Sequence, residues 1–317
     1  MRRVSLFVSF TVIIGLAAIA AADVVIKTQS TVNTMGWMKA DVTGVEYIKS
    51  DRNLTENTIK MTGGMMAMMG DMQTMKDINI DRLDKGVIWE LDSKEMTYSE
   101  KPLASLKQEY AEESQKGQDD MLGEADKYDW VIEVKTENKP VDINGFKCKG
   151  IIATAKGISK EDPTEKTDLL FEYWYAKDVD GYDELMEYRE NYAAATGMDI
   201  IQSQEDIGQM FARFGDEFEE MFARMEKADG YPIKTVINVK GSQKMTEEGE
   251  ADDEEMDDKG MPPGMMDMMK GMMGDKEKSE DGMTTLLSVT SIVESITEQP
   301  VDDSQFEIPE GYSKEEH

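Results

Sequence analysis

The sequence predicts an α+β protein built on one strongly curved antiparallel β-sheet, an open or half barrel with helices packed on its concave face. Segments rich in β-branched and aromatic residues recur along the chain, separated by glycine, asparagine and aspartate turns. A helical pattern of apolar residues interrupts this series between residues 182 and 227, and strands resume after it. We therefore expect a meandering sheet whose inner face is covered by helices.

The first part of the chain alternates predicted strands with turn signals. Strands are predicted at residues 24–32, 45–50, 77–83, 86–92 and 95–100. The turn Asp84-Lys85-Gly86 joins two of them, because its glycine tolerates the positive φ that a tight hairpin needs. Residues 102–114 predict a short helix with Pro102 in its first turn.

The middle of the chain continues this pattern before the helical region begins. Further strands are predicted at residues 128–136, 139–157 and 166–178, and the second of these is divided by an Asn-Gly turn. The helical pattern then starts near Tyr182 and breaks at Thr196-Gly197.

The second half of the helical region carries the strongest periodic pattern in the chain. Its apolar residues recur every three or four positions, which places them on one face of a helix. The residues that we assign to the lining of a ligand-binding hollow are Met210, Phe211, Phe214, Phe218, Met221 and Phe222. A stripe of this kind is more often part of a core than of a cofactor site, so it is also expected to cover the sheet.

The last third of the chain contains two predicted strands separated by an unusual insertion. The strands lie at residues 231–241 and 284–296. Residues 246–282 are acidic and methionine-rich, and we predict that they are disordered because they have few apolar groups to offset the entropy of ordering. One β-rich domain is therefore predicted over residues 23–312, with a short tail at 313–317.

The N-terminus is typical of a secretory signal peptide. Arg2 and Arg3 precede an apolar run that ends in three alanines, and cleavage is expected after Ala22. The apolar run is short and no basic flank follows it, which argues against a membrane anchor. We therefore expect a periplasmic or secreted protein with no transmembrane anchor after cleavage of residues 1–22.

Composition argues against several classes of function. The net charge of −31 should repel nucleic acid and anionic membrane surfaces. The only histidine is His317, so an imidazole-based catalytic triad or zinc site is not expected, and we predict no enzymatic activity and no cofactor. The only cysteine, Cys148, lies in a predicted strand and is interpreted as a buried structural thiol.

Two methionine blocks, at residues 61–75 and 261–273, stand two hundred residues apart between predicted strands. Thioethers are soft ligands that suit Cu(I) or Ag(I), which makes a metal site one interpretation of these blocks. The residues proposed for that site are Met65, Met66, Met68, Met69, Met72, Met265, Met266, Met268, Met269 and Met272. Two further interpretations are an adaptable apolar surface on two loops and protection by oxidation to sulfoxide.

Several segments, taken in order, resemble a known family. They are INIDRLDKGVIWELDSKEMTYSE, INGFKCKG, YWYAKDVDGYDEL and VTSIVESITEQPVDDSQFEIPEGY. The chain resembles exported bacterial proteins built around a domain of unknown function, similar in layout to the LolA and LppX lipoprotein-carrier folds. The resemblance implies a curved antiparallel sheet with helices against its hollow, where the carriers hold acyl chains.

The leading hypothesis is therefore an exported binding protein of the cell envelope. It would hold a lipid, an acyl chain or an apolar protein partner in the hollow between sheet and helices. The competing hypothesis is a protein that binds Cu(I) or Ag(I) through its methionine-rich loops. Whether the two methionine blocks lie at one rim of the sheet is the geometric question that bears on this choice.

Overall fold

A computed structural model describes residues 23–35, 38–64, 74–106, 108, 127–197, 228, 230–242 and 283–315. These residues form a large, mainly antiparallel β-sheet with one α-helix against it. The predicted signal peptide and the acidic insertion lie outside the described residues, as does the Phe/Met stripe.

Twelve strands form the sheet in the order β12-β6-β5-β4-β3-β2-β1-β11-β10-β9-β8-β7. They are β1 (Val24–Thr34), β2 (Met38–Lys49), β3 (Arg52–Gly63), β4 (Thr74–Arg82), β5 (Val87–Asp92), β6 (Thr97–Pro102), β7 (Tyr128–Ile143), β8 (Phe146–Ser159), β9 (Lys166–Ala176), β10 (Tyr231–Gly241), β11 (Thr284–Glu298) and β12 (Ser313–Lys314). Neighbours are antiparallel except β12 and β6, which are parallel. Within the described part of the chain, no pairing joins β7 to the other end, so the sheet is unclosed.

The predicted turn residues adopt the backbone conformations that their chemistry favours. Gly86, between β4 and β5, has a φ of 71°. Asn144 and Gly145, between β7 and β8, have φ values of 50° and 90°, as a type I′ hairpin turn requires. The sequence prediction of both hairpins is confirmed.

The first strand, β1, pairs with β11, the last long strand of the chain. Val24 lies opposite Glu298, and Thr34 lies opposite Leu287. This pairing joins the two halves of the chain, β1–β6 and β7–β11, into one sheet.

The helix α1 spans Tyr182–Thr196 and ends where the sequence predicts a break. Gly197 at its C-terminus has a φ of 72°, the left-handed conformation that commonly ends a helix. Its buried residues, spaced three or four apart, form one stripe: Leu185, Tyr188, Tyr192 and Thr196. Of the predicted helix at 102–114, the structure describes a 3-10 turn at Leu103–Ser105 and little beyond it.

The two faces of the sheet are covered by different parts of the chain. Val24, Ile26 and Ile48 pack in one cluster with the stripe of α1, and we call their side the helix face. On the other side, Val25 packs in a cluster with Leu54, Ile80, Trp89 and Leu91 of neighbouring strands, and the C-terminal segment 299–312 covers it with Val301 and Phe306. We call this side the opposite face. Alternating residues of β1 thus contribute to two separate cores, because successive side chains of a strand point to opposite faces of the sheet.

Candidate functional site

The sequence-predicted site residues lie outside the described part of the chain. This is true of the six hollow-lining residues, Met210, Phe211, Phe214, Phe218, Met221 and Phe222. It is equally true of the ten proposed metal ligands, Met65, Met66, Met68, Met69, Met72, Met265, Met266, Met268, Met269 and Met272. The candidate site is therefore built from other residues, all on the helix face.

A row of polar side chains crosses the helix face of three adjacent strands. Its members are Glu46 on β2, Asn53, Thr55 and Asn57 on β3, and Asp77, Asn79 and Asp81 on β4. The register places Asn53 opposite Asp81, Thr55 opposite Asn79 and Asn57 opposite Asp77, so the side chains of β3 and β4 meet pairwise. We call these seven residues the polar belt.

Hydrogen bonds organise the belt and connect it to the helix. The amide nitrogens of Asn57 and Asn79 both donate to the carboxylate of Asp77, at 3.3 Å. The Tyr188 hydroxyl of α1 donates to Asp81 Oδ2 at 2.6 Å. The belt thus extends from the solvent-exposed Asp77 to the region beneath α1.

One acceptor in the belt lacks a partner within the described part of the chain. The side chain of Asn53 hydrogen-bonds Tyr188, yet its oxygen Oδ1 is buried and accepts no hydrogen bond from the described residues. A buried acceptor without a partner costs about 1–3 kcal/mol of stability. Such atoms are rare in native proteins, and a bound ligand is one way to satisfy them.

Burial changes the acidity of two carboxyl groups of the belt, Glu46 and Asp81. It raises the pKa of Glu46 to about 7, and the Asp81 carboxyl adds to this rise. Burial also raises the pKa of Asp81 to about 6, against the lowering effect of the hydrogen bond from Tyr188. Both groups therefore exchange protons near neutral pH, where most carboxyl groups are fully ionised.

Gly44 leaves room for oxygen atoms in the middle of the helix face. A Cβ atom at this position would lie 2.4 Å from Thr28 Oγ1 and 2.9 Å from Asn57 Oδ1. Cβ atoms in proteins essentially never lie this close to other atoms, so the two oxygens occupy the space that a side chain at position 44 would need. The strand β2 therefore carries a glycine where its neighbours point polar atoms across it.

Beyond the polar belt, toward the C-terminal end of β3, the helix face carries apolar residues. They are Val32 on β1, Val42 on β2, Ile59 on β3, and Leu287 and Val289 on β11. The register places Val32 opposite Val289 and Val42 opposite Ile59. We call these five half-buried residues the apolar patch.

The patch continues into a fully buried core on the same face. Val289 lies opposite Ile237, which lies opposite Phe171, which lies opposite Ala153. These last three residues are at most 3% exposed. On the helix face, these core residues of β8–β10 are therefore buried, whereas the apolar patch on β3, β2, β1 and β11 is only half-buried.

The strand ends that flank both methionine blocks lie at one edge of the sheet. The first block connects β3 to β4, and the second lies between β10 and β11. Gly63 of β3 pairs with β2, Thr34 of β1 pairs with both β2 and β11, and Thr284 of β11 pairs with Gly241 of β10. β3 and β11 are three strand spacings apart, about 14 Å.

The single thiol of the chain is buried, as its sequence context predicts. Cys148 lies in β8, and burial raises the pKa of its thiol to about 11, which confirms the prediction of a buried thiol. Among the described residues, no three His, Cys, Asp or Glu side chains are grouped so that they could hold a metal ion. In the same part of the chain, no helix has the length and apolar character needed to cross a membrane.

Comparison with known proteins gives no relative for this chain: no family model, no curated protein and no solved structure matches it.

Sequence reasoning missed the polar belt, although its signal is present. The stretches Asn53–Asn57 and Asp77–Asp81 read N-x-T-x-N and D-x-N-x-D, which places polar side chains on one face of each strand. Of the four intervening residues, Leu54, Ile78 and Ile80 are apolar and Glu56 is charged, so β4 reads as amphipathic and β3 less clearly so. The polar side would ordinarily be assigned to solvent, whereas here Asn53 and Asp81 at one end of it contact Tyr188 of α1.

Proposed function

We propose that this chain is an exported, non-enzymatic binding protein of the cell envelope that holds an amphiphilic ligand on the helix face of the sheet, beside α1. The side-by-side placement of the polar belt and the apolar patch on one face carries this proposal. An amphiphile needs an apolar surface and polar partners within one molecular length of each other. Ile59 and Asn57 are two residues apart on β3, so the two surfaces are in direct contact.

The apolar part of the ligand would lie on the apolar patch. The five patch residues are half-buried and adjoin one another across four strands, β3, β2, β1 and β11. Burial of apolar surface contributes about 25 cal/mol per Å², which makes such a patch a favourable surface for an acyl or alkyl chain.

The polar part of the ligand would lie at the belt, whose chemistry selects the kind of head group. Carboxylates accept hydrogen bonds and attract positive charge, and Asn53 Oδ1 is an acceptor without a partner among the described residues. A head group that donates hydrogen bonds or carries an ammonium charge fits this surface. Above about pH 7 a free fatty acid does not fit, because Glu46 and Asp81 are then both ionised and repel its carboxylate.

The lipoprotein-carrier layout implied by the resemblance is part of the same proposal. A curved sheet around a hollow would bring distant strands toward one helix. Two contacts support this geometry: Asn144 Nδ2, in the β7–β8 turn, donates to the carbonyl of Val293 on β11 at 2.8 Å, and α1 contacts both β2 and the 3-10 turn that follows β6. The helix would then lie on the concave side.

A pair of detergents with the same chain and opposite charge tests the proposal. Binding of dodecyltrimethylammonium and dodecyl sulfate, each below its critical micelle concentration, is measured by isothermal titration calorimetry at about pH 8, where both Glu46 and Asp81 are ionised. We expect the cation to bind at least about tenfold more tightly, a difference of about 1.4 kcal/mol. The E46Q/D81N variant should lose this preference because it removes the two carboxylates.

The control variant changes the same kinds of residue on the other side of the same strands. Asp41 and Glu56 are exposed residues of β2 and β3 that point to the opposite face. The D41N/E56Q variant removes the same formal charge and should keep the preference for the cation. Equal binding of both detergents, or a preference that survives in E46Q/D81N, would contradict the proposed ligand class.

A further inference from the structure

Glu46 lies on the helix face of β2 with apolar residues on two sides. Ile26 lies opposite it on β1, and Ile48 is the next residue of β2 on the same face. Ile26 is 0% exposed and Ile48 is 3% exposed, whereas Glu46 is half-buried. The carboxyl group of Glu46 therefore stands at the border between the core beneath α1 and the half-buried part of the helix face.

The carboxyl group of Glu46 has no bonded partner within the described part of the chain. It accepts no hydrogen bond there and forms no ion pair. Asp81 differs, because it accepts the hydrogen bond of 2.6 Å from Tyr188 of α1. A carboxylate that is partly removed from water is costly to ionise unless a positive charge or a donor lies beside it. Asp81 is thus tied to the helix, and Glu46 is available to a ligand.

The titratable groups around Glu46 confine proton exchange near neutral pH to the two carboxyl groups. Tyr231 on β10 lies within electrostatic range of Glu46 and of Tyr173 on β9, and Tyr188 bonds Asp81. Burial raises the pKa of the Tyr188 and Tyr231 hydroxyls well above the ordinary value of 10.0, so neither ionises near neutral pH. In the described part of the chain, no lysine or arginine forms an ion pair with either carboxylate.

One ligand can reach both Glu46 and the apolar patch. Val42 of the patch lies on the same strand and the same face as Glu46, four residues away, which is about 13 Å along a strand. A dodecyl chain in its extended form covers this distance. An amphiphile whose ammonium head lies at Glu46 therefore places its chain over Val42.

Building on the proposed amphiphile site, we propose that Glu46 is the counter-ion of the cationic head group, and that the head group and a proton compete for its carboxylate. When the cation binds to the protonated form, the proton passes to solvent and a carboxylate–ammonium pair remains. Acidification reverses the exchange, because the carboxyl group takes up a proton and the cationic ligand leaves. The pKa of Glu46, about 7, places this exchange around neutral pH.

The first test measures the binding of dodecyltrimethylammonium by isothermal titration calorimetry, below its critical micelle concentration. Its quaternary nitrogen carries no proton, so its own charge does not change with pH. We expect the affinity to be at least about tenfold weaker at pH 5 than at pH 8. At pH 7, titrations in two buffers of different ionisation enthalpy should show release of about half a proton for each ligand bound.

Single variants assign the effect to one carboxyl group. E46Q should bind the cation more weakly at pH 8, and its affinity should change less than about threefold between pH 8 and pH 5. D81N keeps Glu46 and should still lose about tenfold in affinity over this range. The matched control is E56Q, because Glu56 on β3 is exposed and points to the opposite face. It should behave as the wild type does.

A further measurement does not depend on any variant folding. Carbon-13 NMR of the glutamate side-chain carboxyl groups follows the titration of Glu46 in the wild-type protein. Saturation with dodecyltrimethylammonium should lower the pKa of Glu46 from about 7 to below about 6, since the coupling between ligand and proton is reciprocal.

The outcomes separate this proposal from the proposed function. Binding at pH 8 that persists unchanged at pH 5, or an unchanged pKa of Glu46 in the saturated protein, would overturn the proton exchange and leave the amphiphile site standing. Absence of binding at pH 8 would overturn both. Wild-type affinity and pH dependence in E46Q would overturn the assignment of the counter-ion to Glu46.

Discussion

At the scale of single residues, Gly44 shows how the sheet makes space for polar atoms. Alanine there would bring a methyl group to 2.4 Å from Thr28 Oγ1. We expect G44A to lower the free energy of unfolding by about 1–3 kcal/mol, the usual cost of overpacking. The measurement is urea denaturation followed by circular dichroism.

Gly63, near the end of β3, provides the control for this change. Its Cβ would lie 3.5 Å from the nearest atom, Lys39 Cβ, which is an ordinary van der Waals contact. G63A should therefore leave stability within about 0.5 kcal/mol of the wild type. If G44A is as stable as G63A, the two oxygens do not occupy the space above Gly44.

Cys148 gives a second prediction at this scale. The thiol is buried, and burial raises its pKa to about 11, so little of the reactive thiolate forms at neutral pH. The native protein should react with 5,5′-dithiobis(2-nitrobenzoic acid) far more slowly than the protein in urea. Equal rates in the two conditions would show that the thiol is accessible in the folded chain.

The position of Cys148 was predictable from sequence, whereas the role of Glu46 was not. A lone cysteine in a run of strand residues is usually buried, because it behaves as a small apolar side chain. Glu46 is one of many acidic residues in the chain, and nothing local distinguishes it. Its raised pKa depends on burial and on the charge of Asp81, which is distant in sequence.

At the scale of secondary structure elements, the interface between α1 and the belt predicts a dependence of stability on pH. The pKa values of Glu46 and Asp81 rise from ordinary values of 4.5 and 3.8 to about 7 and about 6 on folding. The folded chain therefore binds more protons than the unfolded chain between about pH 4 and 7, and stability rises as pH falls through this range. We expect a gain on the order of 1–3 kcal/mol between about pH 8 and pH 5.

The E46Q/D81N variant tests this dependence, since neither side chain titrates. Its free energy of unfolding should change less between pH 8 and pH 5 than that of the wild type. The range stops at pH 5 because Asp84 and Glu307 have lowered pKa values from their contacts with Arg82, and these contacts weaken only in stronger acid. A wild-type protein that loses stability on acidification from pH 8 to pH 5 would contradict the assignment.

Several turns and the end of the helix were predictable from local sequence, and the reason is the same for strands and for the helix. The β4–β5 and β7–β8 hairpins carry Gly86 and Asn144-Gly145, whose backbone preferences fix the turns. The end of α1 carries Gly197 for the same reason. The end of β3 is followed by a residue of the same kind, Gly64, whose φ is 83°.

At the scale of the whole molecule, the C-terminal segment holds the opposite face of the sheet. Phe306 is completely buried against residues of β1, β3, β4 and β5. Next to it, the buried guanidinium of Arg82 donates to the carbonyl of Phe306 and pairs with Asp84 and Glu307. The segment therefore contributes both apolar contacts and an ion-pair network.

We expect F306A to destabilise the protein by about 3–5 kcal/mol, the usual cost of removing a buried phenylalanine side chain. The control is I158A, because Ile158 on β8 is 45% exposed and should cost less than about 1 kcal/mol. Thermal and urea unfolding of both variants provide the comparison. Similar stability of F306A and the wild type would show that the segment does not cover this face.

The arrangement of the whole sheet was only partly predictable. The sequence predicts a meandering antiparallel sheet, and most neighbours along the chain do pair. The pairing of β1 with β11 joins residues more than about 250 positions apart, and β-strand patterns do not specify their partners over such distances. For the same reason, the sequence does not show that the strand ends flanking the two methionine blocks lie on the same side of the sheet.

The most direct test of the central claim is an NMR titration of the wild-type protein with dodecyltrimethylammonium. We predict that the side-chain amide of Asn53 and the methyl groups of Val42 and Ile59 shift together, while those of Leu54 and Ile80 on the opposite face do not. Shifts confined to Leu54 and Ile80, or no shift at Asn53, would contradict the assignment of the ligand site to the helix face.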